Sequence, residues 1–498
     1  MTVPLRVDDA AHRGDETDLP GEIAASERTP LVIKLLVVAT FIVILNETIM
    51  INAVPRLMMD FSISPRAAQW LSTIFMLTMA AVIPLTGWFL QRVTTRTAYA
   101  VAMATFCTGT VIGAVAPAFP VLLAGRVVQA AGTAVMMPLL MTTLMVVVPE
   151  SARGRVMGTV TMAMSCAPAL GPAVSGVILQ LGSWRLIFVF ILPVAVLVAV
   201  AGLRRLENVG ETVSGSVHWP SVLLAALGFS GLLFGLSEIG ARDGVTVGLI
   251  ITGGGALVAG FAAVQLRLAQ RGRPLLDLRT LVHRSFRVSL LVMAASNMAF
   301  FGAMFLLPLY LQDVRDLTEL QTGLLVMPGG LAMGLLGPAV GRVYDRFGAR
   351  LLVIPGCAVA MLSLGALATI GRDTPYPLLL VVHILLMASL AAVFTPLFSV
   401  GLGDLPASLY SHGSSLFGTI MQVSGAMGTA LLVVILEARS TRLTDGGASD
   451  VDALVGGMRW AFATAALIAI ALTLIALWIP NRPKGAGAHA SPEPAPAV

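Results

Sequence analysis

The sequence predicts an all-α integral membrane protein of fourteen transmembrane helices, arranged as two six-helix bundles with two further helices inserted between them. Composition is the first observation behind this. Of 498 residues, 57% are hydrophobic and only 11% are charged, and the mean hydropathy is +0.90. Soluble chains carry about 25% charged residues, so lipid is the solvent that suits this one. The second observation is the supply of long apolar runs, each close to the ~20 residues that a spanning helix needs. The third is an internal repeat. GWFLQRVTTR, from Gly87 to Arg96, has a partner in GRVYDRFGAR, from Gly341 to Arg350, at nearly the separation of Pro55 from Pro308.

In chain order, the predicted spans are 31–53, 67–90, 97–116, 120–148, 156–181, 184–203, 219–239, 245–266, 286–311, 321–343, 350–370, 376–401, 412–436 and 455–479. Helices satisfy their own backbone in hydrocarbon, and the alternating pattern of a membrane barrel is absent. The expected units are a disordered tail (1–30), an N-terminal six-helix bundle (31–203), linkers with the inserted helices 7 and 8 (204–285), a C-terminal six-helix bundle (286–480) and a second disordered tail (481–498). Lys and Arg concentrate in the loops of the face that carries both termini, among them Arg92, Arg96, Arg153, Arg155, Arg204 and Arg205. The positive-inside bias makes that face cytoplasmic. The expected location is a bacterial inner membrane.

The net charge of +5 is read as this topological bias, and no nucleic-acid partner is expected. Cys107, Cys166 and Cys357 lie in apolar runs without ligand spacing, so neither a disulfide framework nor a metal site is expected. No phosphate-binding loop, nucleophile elbow or paired metal ligands occur. No soluble stretch is long enough for a nucleotide-binding domain. The chain reads as a non-enzyme without cofactors, driven by the proton motive force.

Polar side chains inside apolar helices are costly, and so they mark sites. Glu47 is the acid well inside the first-bundle helices. Burial disfavours its ionised form, which suits a proton carrier; an acid reaching the outer surface is the other reading. Arg126 lies in LLAGRVVQAAGTA on helix 4, where insertion costs about 2.5–3.5 kcal/mol at a helix centre. It must face the bundle interior, either tuning a proton site or tethering helices. Gln129 follows one turn later. Asn46, Gln129, Asn297, Phe301, Phe305 and Gln422 are the expected cavity residues, in a chain with 24 Met and 20 Phe whose adaptable side chains suit bulky substrates. Glu238 reads as interfacial and His383 as a helix-packing residue.

Taken together, these motifs resemble the major facilitator superfamily, and within it the fourteen-helix drug:proton antiporter branch, from Leu31 to Pro480. The helix 4 arginine matches the family's motif there, which implies a role for Arg126 beside a proton-binding acid. SCAPALGPAVSG on helix 5, with Gly171 and Pro172, resembles the superfamily's antiporter motif. Small residues there permit close helix contact, and the prolines bend the helix. In the loop between helices 2 and 3 the family carries a glycine, an acid and basic residues at the cytoplasmic gate. Gly87, Arg92 and Arg96 fit, but Gln91 stands where the acid is expected. The second copy is intact, with Gly341, Asp345, Arg346, Gly348 and Arg350. On helix 1 the family shows an aspartate, and Asn46 takes its place, followed by Glu47.

The resemblance implies a secondary active exporter of lipophilic, cationic drugs by proton antiport with alternating access, acting as a monomer with small substrates, protons and membrane lipids as partners. Two alternatives stay open: export of one endogenous product, such as an antibiotic, siderophore or lipid, and a channel or receptor-like membrane protein.

Overall fold

The computed structural model describes residues 30–480 apart from 64, 210–211, 213–216, 241 and 272–273. The two expected disordered tails, except for Pro30, lie outside the described residues. Fourteen long helices run through the described chain: α1 Leu31–Ile49, α2 Pro65–Arg92, α3 Thr95–Ala114, α4 Phe119–Val147, α5 Arg153–Gln180, α6 Arg185–Arg205, α7 Trp219–Ser237, α8 Gly244–Gln270, α9 Arg284–Asp313, α10 Glu319–Phe347, α11 Arg350–Leu367, α12 Tyr376–Gly403, α13 Tyr410–Asp445 and α14 Asp450–Ala476. Thirteen of them are individually long and apolar enough to cross a membrane. The remaining one, α5, is rich in Gly, Ala, Ser and Thr and packs between α1 and α10. An even number of crossings places Leu31 and Ile479 on one face, here called the terminal face.

Helix 1 ends earlier than its apolar run. The span expected over 31–53 stops at Ile49, passes through a 3-10 turn at Met50–Ala53, and restarts as a short helix, Val54–Phe61, with proline in its first turn. Pro55 has no N–H to give to the preceding turn, so the helix breaks there and a new one begins. The short helix is held by the opposite-face loop of the same bundle: Trp184 Nε1 donates to Asp60 Oδ2 at 2.9 Å, and Arg56 donates to the Gly182 carbonyl.

Helices α1–α6 pack mainly on one another, and so do α9–α14. Two seams join the groups. One is α5 against α10 and the other is α2 against α13; the repeat relates them, because α2 corresponds to α10 and α5 to α13. The inserted α7 and α8 pair with each other, and α7 lies across the second seam, touching both α2 and α13. Ser230 of α7 donates to the Leu77 carbonyl of α2 at 3.0 Å.

The α5–α10 seam is closed by glycines. A Cβ on Gly158 would lie 2.1 Å from the Gly337 carbonyl oxygen, and one on Gly341 would lie 2.0 Å from that of Gly154. Gly154 and Gly158 on α5, with Gly337 and Gly341 on α10, form two facing small-xxx-small pairs, which bring backbones into contact in lipid.

Candidate functional site: a buried polar centre above a sealed face

Arg126 of α4 is 2% exposed. Its guanidinium donates to Gln129 Oε1 at 2.6 Å, and Gln129 Nε2 donates to Thr110 Oγ1 of α3 at 2.9 Å. The guanidinium also lies over the Phe75 ring of α2, 4.1 Å from its centroid. Three helices thus hold one cation in a fixed orientation, and the aromatic face compensates part of the lost hydration. Arg126 Nε remains buried without a hydrogen-bond partner.

Glu47 of α1 is half-buried. It and Arg126 lie within electrostatic reach of each other, yet no ion pair within 4 Å joins them among the described residues. Its neighbour Asn46 is fully buried, and both of its amide atoms are unpartnered. A buried polar group without a partner costs on the order of 1–3 kcal/mol. The centre therefore holds an acid, a base and an amide whose hydrogen-bonding capacity the protein leaves unused. At 1.5 Å per residue, Glu47 lies about 24 Å along α1 from Leu31, in the half of the molecule away from the terminal face. Arg126 is seven residues into α4, which enters from the opposite face.

Below this centre the terminal half is sealed. Thr142 of α4 meets Ser414 of α13 at 3.0 Å, Thr161 of α5 meets Thr395 of α12 at 2.9 Å, and Thr86 of α2 donates to Ser415 of α13 at 3.1 Å. At the terminal end of the first seam, Asp345 accepts the backbone N–H groups of Gly154 and Arg155, both at 2.7 Å. The acid thus caps the start of α5. Arg346 sits over the Phe347 ring instead, and Arg350 donates to the Ile479 carbonyl at 2.7 Å. In the second seam Gln91 Nε2 donates to the Ser408 carbonyl at 2.7 Å, Arg92 folds over the Trp88 ring, and Gly87 lies against His412.

The other sequence candidates are scattered. Gly171 packs on Thr48, since a Cβ there would meet its Oγ1 at 2.3 Å, and Ser175 donates to the Ile49 carbonyl at 2.9 Å. The helix 5 motif thus ties α5 to α1 immediately beyond Glu47. The side chain of Pro172 lies outside the described residues. Asn297 is buried in the C-terminal group and donates to the Met421 carbonyl at 2.6 Å; its Oδ1 is unpartnered. Phe301 stands by the same stretch of α13, against Gly425, and Gln422 is half-buried on that helix. Phe305 is exposed and takes no part in this group. His383 Nε2 contacts the Val326 carbonyl at 3.1 Å and fills the space over Gly329, joining α12 to α10. Glu238 pairs with Arg242 one turn away. Sequence reading missed Thr110 and Phe75, the partners that orient Gln129 and Arg126. It also missed the Gly154/Gly158 and Gly337/Gly341 pairs, although their four-residue spacing was visible.

Comparison with known proteins agrees with this architecture. The family model described as Major Facilitator Superfamily matches residues 36–429. The chain is 35% identical over 459 residues to the MFS-type transporter YcnB of Bacillus subtilis, covering 91% of this chain and 96% of that one. It is 34% identical to the lincomycin resistance protein LmrB of the same organism, covering 89% and 93%. Among solved structures, the human organic anion transporter MFSD10 superposes with a TM-score of 0.67 at 14% identity, covering 90% of this chain and all of that one. The proton:xylose symporter XylE superposes with a TM-score of 0.58 at 15% identity, covering 91% and 96%. These two share the fold: many apolar helices in two packed groups. The chain belongs to the major facilitator superfamily and is a multi-pass membrane transporter, not an enzyme.

Proposed function

We propose that this protein exports lipophilic drugs by proton antiport, with the bundles 31–203 and 286–480 rocking about a site near the membrane midplane. The observation that carries the reading is the Glu47–Arg126 relationship: an acid and a base close enough to interact, neither neutralised by a direct ion pair, above a sealed terminal face. That face is taken as cytoplasmic from the distribution of Lys and Arg. In the state seen here, protons arriving from the opposite face would reach Glu47 first. Protonation removes the charge opposite Arg126 and weakens the hold on a cationic substrate. Proton and drug therefore exclude each other at one centre, which is the linkage that antiport requires.

Relatives named for lincomycin resistance, and others named for multidrug resistance, support drugs as the substrate class. Asn46, Gln129, Asn297, Phe301 and Gln422 are proposed to line the path. Asp345, with Gly87, Arg92, Arg346 and Arg350 at the helix ends of the same face, forms the terminal gate. Gly171 sets the α1–α5 contact that must shift during the cycle, and the bend expected at Pro172 is proposed as its hinge. The test is an efflux panel of lincomycin and cationic dyes in a host lacking its own pumps, with and without a protonophore. Expression should lower accumulation of at least one compound, and the protonophore should abolish the difference. Export that persists without a proton gradient would refute antiport.

A further inference from the structure

The repeat pairs α4 with α12 as well as α5 with α13, and it relates two further contacts across the terminal half. Thr142 of α4 faces Ser414 of α13, and Thr161 of α5 faces Thr395 of α12. The bundle interface therefore has a centre between its two seams. At the terminal end of that centre, the first residues of the related helices α5 and α13 meet each other. Arg153 begins α5 and Tyr410 begins α13.

Arg153 is placed by its own bundle. Its Nη2 donates to the Met145 carbonyl at 2.8 Å, and its Nε donates to the Val148 carbonyl at 3.2 Å. Both carbonyls lie at the C-terminal end of α4, where backbone acceptors lack partners within the helix and the dipole favours a cation. Two bonds from one planar fork fix the guanidinium in orientation as well as in position.

The guanidinium so fixed reaches the other bundle. Its central carbon lies 5.8 Å from the centroid of the Tyr410 ring, and Nη2 lies 3.5 Å from the Tyr410 hydroxyl. Tyr410 is buried. Ser414 follows it one turn later on α13 and meets Thr142, which lies one turn before Met145 on α4. The Tyr410–Ser414 edge of α13 thus runs along the Thr142–Met145 edge of α4. Beyond Arg153, the N–H groups of Gly154 and Arg155 go to Asp345 of α10. Three consecutive residues at the start of α5 therefore touch both α10 and α13.

We propose that Arg153 and Tyr410 form a central latch of the terminal face, in which a cation presented by the end of α4 closes on an aromatic ring of the opposing bundle. This rests on the alternating-access reading above. When the face opens, the bonds to Met145 and Val148 stay, because they lie within one bundle. The contact with Tyr410 is the part that crosses, and it breaks. A cation over a ring gains strength as water is excluded, so the latch tightens as the bundles close. It gives α13 an attraction to the first bundle where Gln91, in the place of an acid, offers no charge.

Pulsed electron paramagnetic resonance on the full-length protein tests this. Spin labels are placed at Arg205→Cys and Leu351→Cys, exposed terminal-face positions in the two bundles, with Cys107, Cys166 and Cys357 replaced by alanine. Tyr410→Leu leaves the bonds of Arg153 to α4 in place and should raise the open-to-closed ratio about three-fold. Tyr410→Phe keeps the ring and should raise it less. Arg153→Met should match Tyr410→Leu, and the double variant should open no further than either alone. An unchanged ratio in Tyr410→Leu overturns the proposal. So does a double variant whose effect is the product of the two single effects, since only independent losses multiply. Tyr410→Leu carries the test by itself if Arg153→Met fails to reach the membrane. A single parent distance at every pH and substrate concentration would remove the alternating-access reading, and the latch with it.

Discussion

The carboxylate of Asp345 on α10 accepts the backbone N–H of Gly154 on α5 at 2.7 Å, so one side chain caps a helix of the other bundle. Hydrogen bonds to a charged group contribute about 1.5–3 kcal/mol each, and breaking them is a required step whenever the terminal face opens. Asp345→Asn loses the charge and leaves one N–H of α5 poorly matched. Turnover in proteoliposomes should fall about ten-fold while substrate affinity stays within two-fold. Gln91→Ala, which removes one neutral hydrogen bond to Ser408, should slow turnover less. If Gln91→Ala is the more damaging change, Asp345 is not the principal latch.

Gly158→Ala and Gly341→Ala should each force α5 and α10 apart, because the added methyl meets a backbone carbonyl, which cannot move aside as a side chain does. Overpacking of this kind costs about 1–3 kcal/mol. Cys166 provides an internal reporter, since its Sγ faces Gly334 across the same seam. Alkylation of Cys166 by a membrane-permeant maleimide, read by mass spectrometry, should speed up several-fold in either variant. An unchanged rate would mean that the glycine contact is not needed for closure.

The helices were legible because lipid imposes one rule on every span, and apolar length reports it directly. The repeat was legible because Gly87–Arg96 and Gly341–Arg350 keep the same residue types at the same spacing. Arg126 and Gln129 stood out as polar residues one turn apart in an apolar helix. Their partners did not, because Thr110 and Phe75 come from helices whose rotation about their own axes the sequence leaves open. The break of α1 at Ile49 was missed because the apolar run continues to Ala53, while Pro55 acts on the backbone of the preceding turn.

Arg126→Ala should abolish transport. It removes the donor to Gln129 and the cation over Phe75, and it leaves Glu47 facing no positive charge. Arg126→Lys should recover little, since a point charge on a flexible stem cannot hold the Gln129 carbonyl and lie flat on the Phe75 ring together. Drug efflux in whole cells, normalised to protein in the membrane, measures this. Equal activity of the lysine variant would show that charge alone matters at this position.

Glu47→Gln should leave the protein folded and inserted but uncouple it. The amide keeps the size of the side chain and cannot exchange a proton. Substrate flux driven by a pH gradient in proteoliposomes should drop to the level of empty vesicles, while substrate exchange without a gradient continues. Glu47→Asp should retain part of the coupled flux. Wild-type pH-driven flux in the glutamine variant would exclude Glu47 as the proton carrier and direct attention to other buried polar groups.

Recognition should follow charge sign as well as apolar area. Met and Phe side chains along the proposed path would supply affinity at about 25 cal/mol per Å² of apolar surface buried, without demanding one fixed ligand shape. The sign preference comes from Glu47, whose partner Arg126 is already engaged by Gln129 and Phe75. A lipophilic cation placed between them replaces lost hydration with the carboxylate, whereas an anion of the same size would leave two negative charges in a poorly solvated site. Cation affinity should exceed that of a matched neutral dye by about ten-fold, corresponding to ~1.4 kcal/mol, and anion affinity should be lower still. Acidification protonates Glu47, so the ranking should flatten as pH falls. Binding of matched cationic, neutral and anionic dyes to detergent-purified protein at two pH values measures both effects, and Glu47→Gln should show the flattened ranking at either pH. Equal affinities for all three dyes with no effect of pH would reject the cation preference and favour a neutral or lipid-like cargo carried by competition for space.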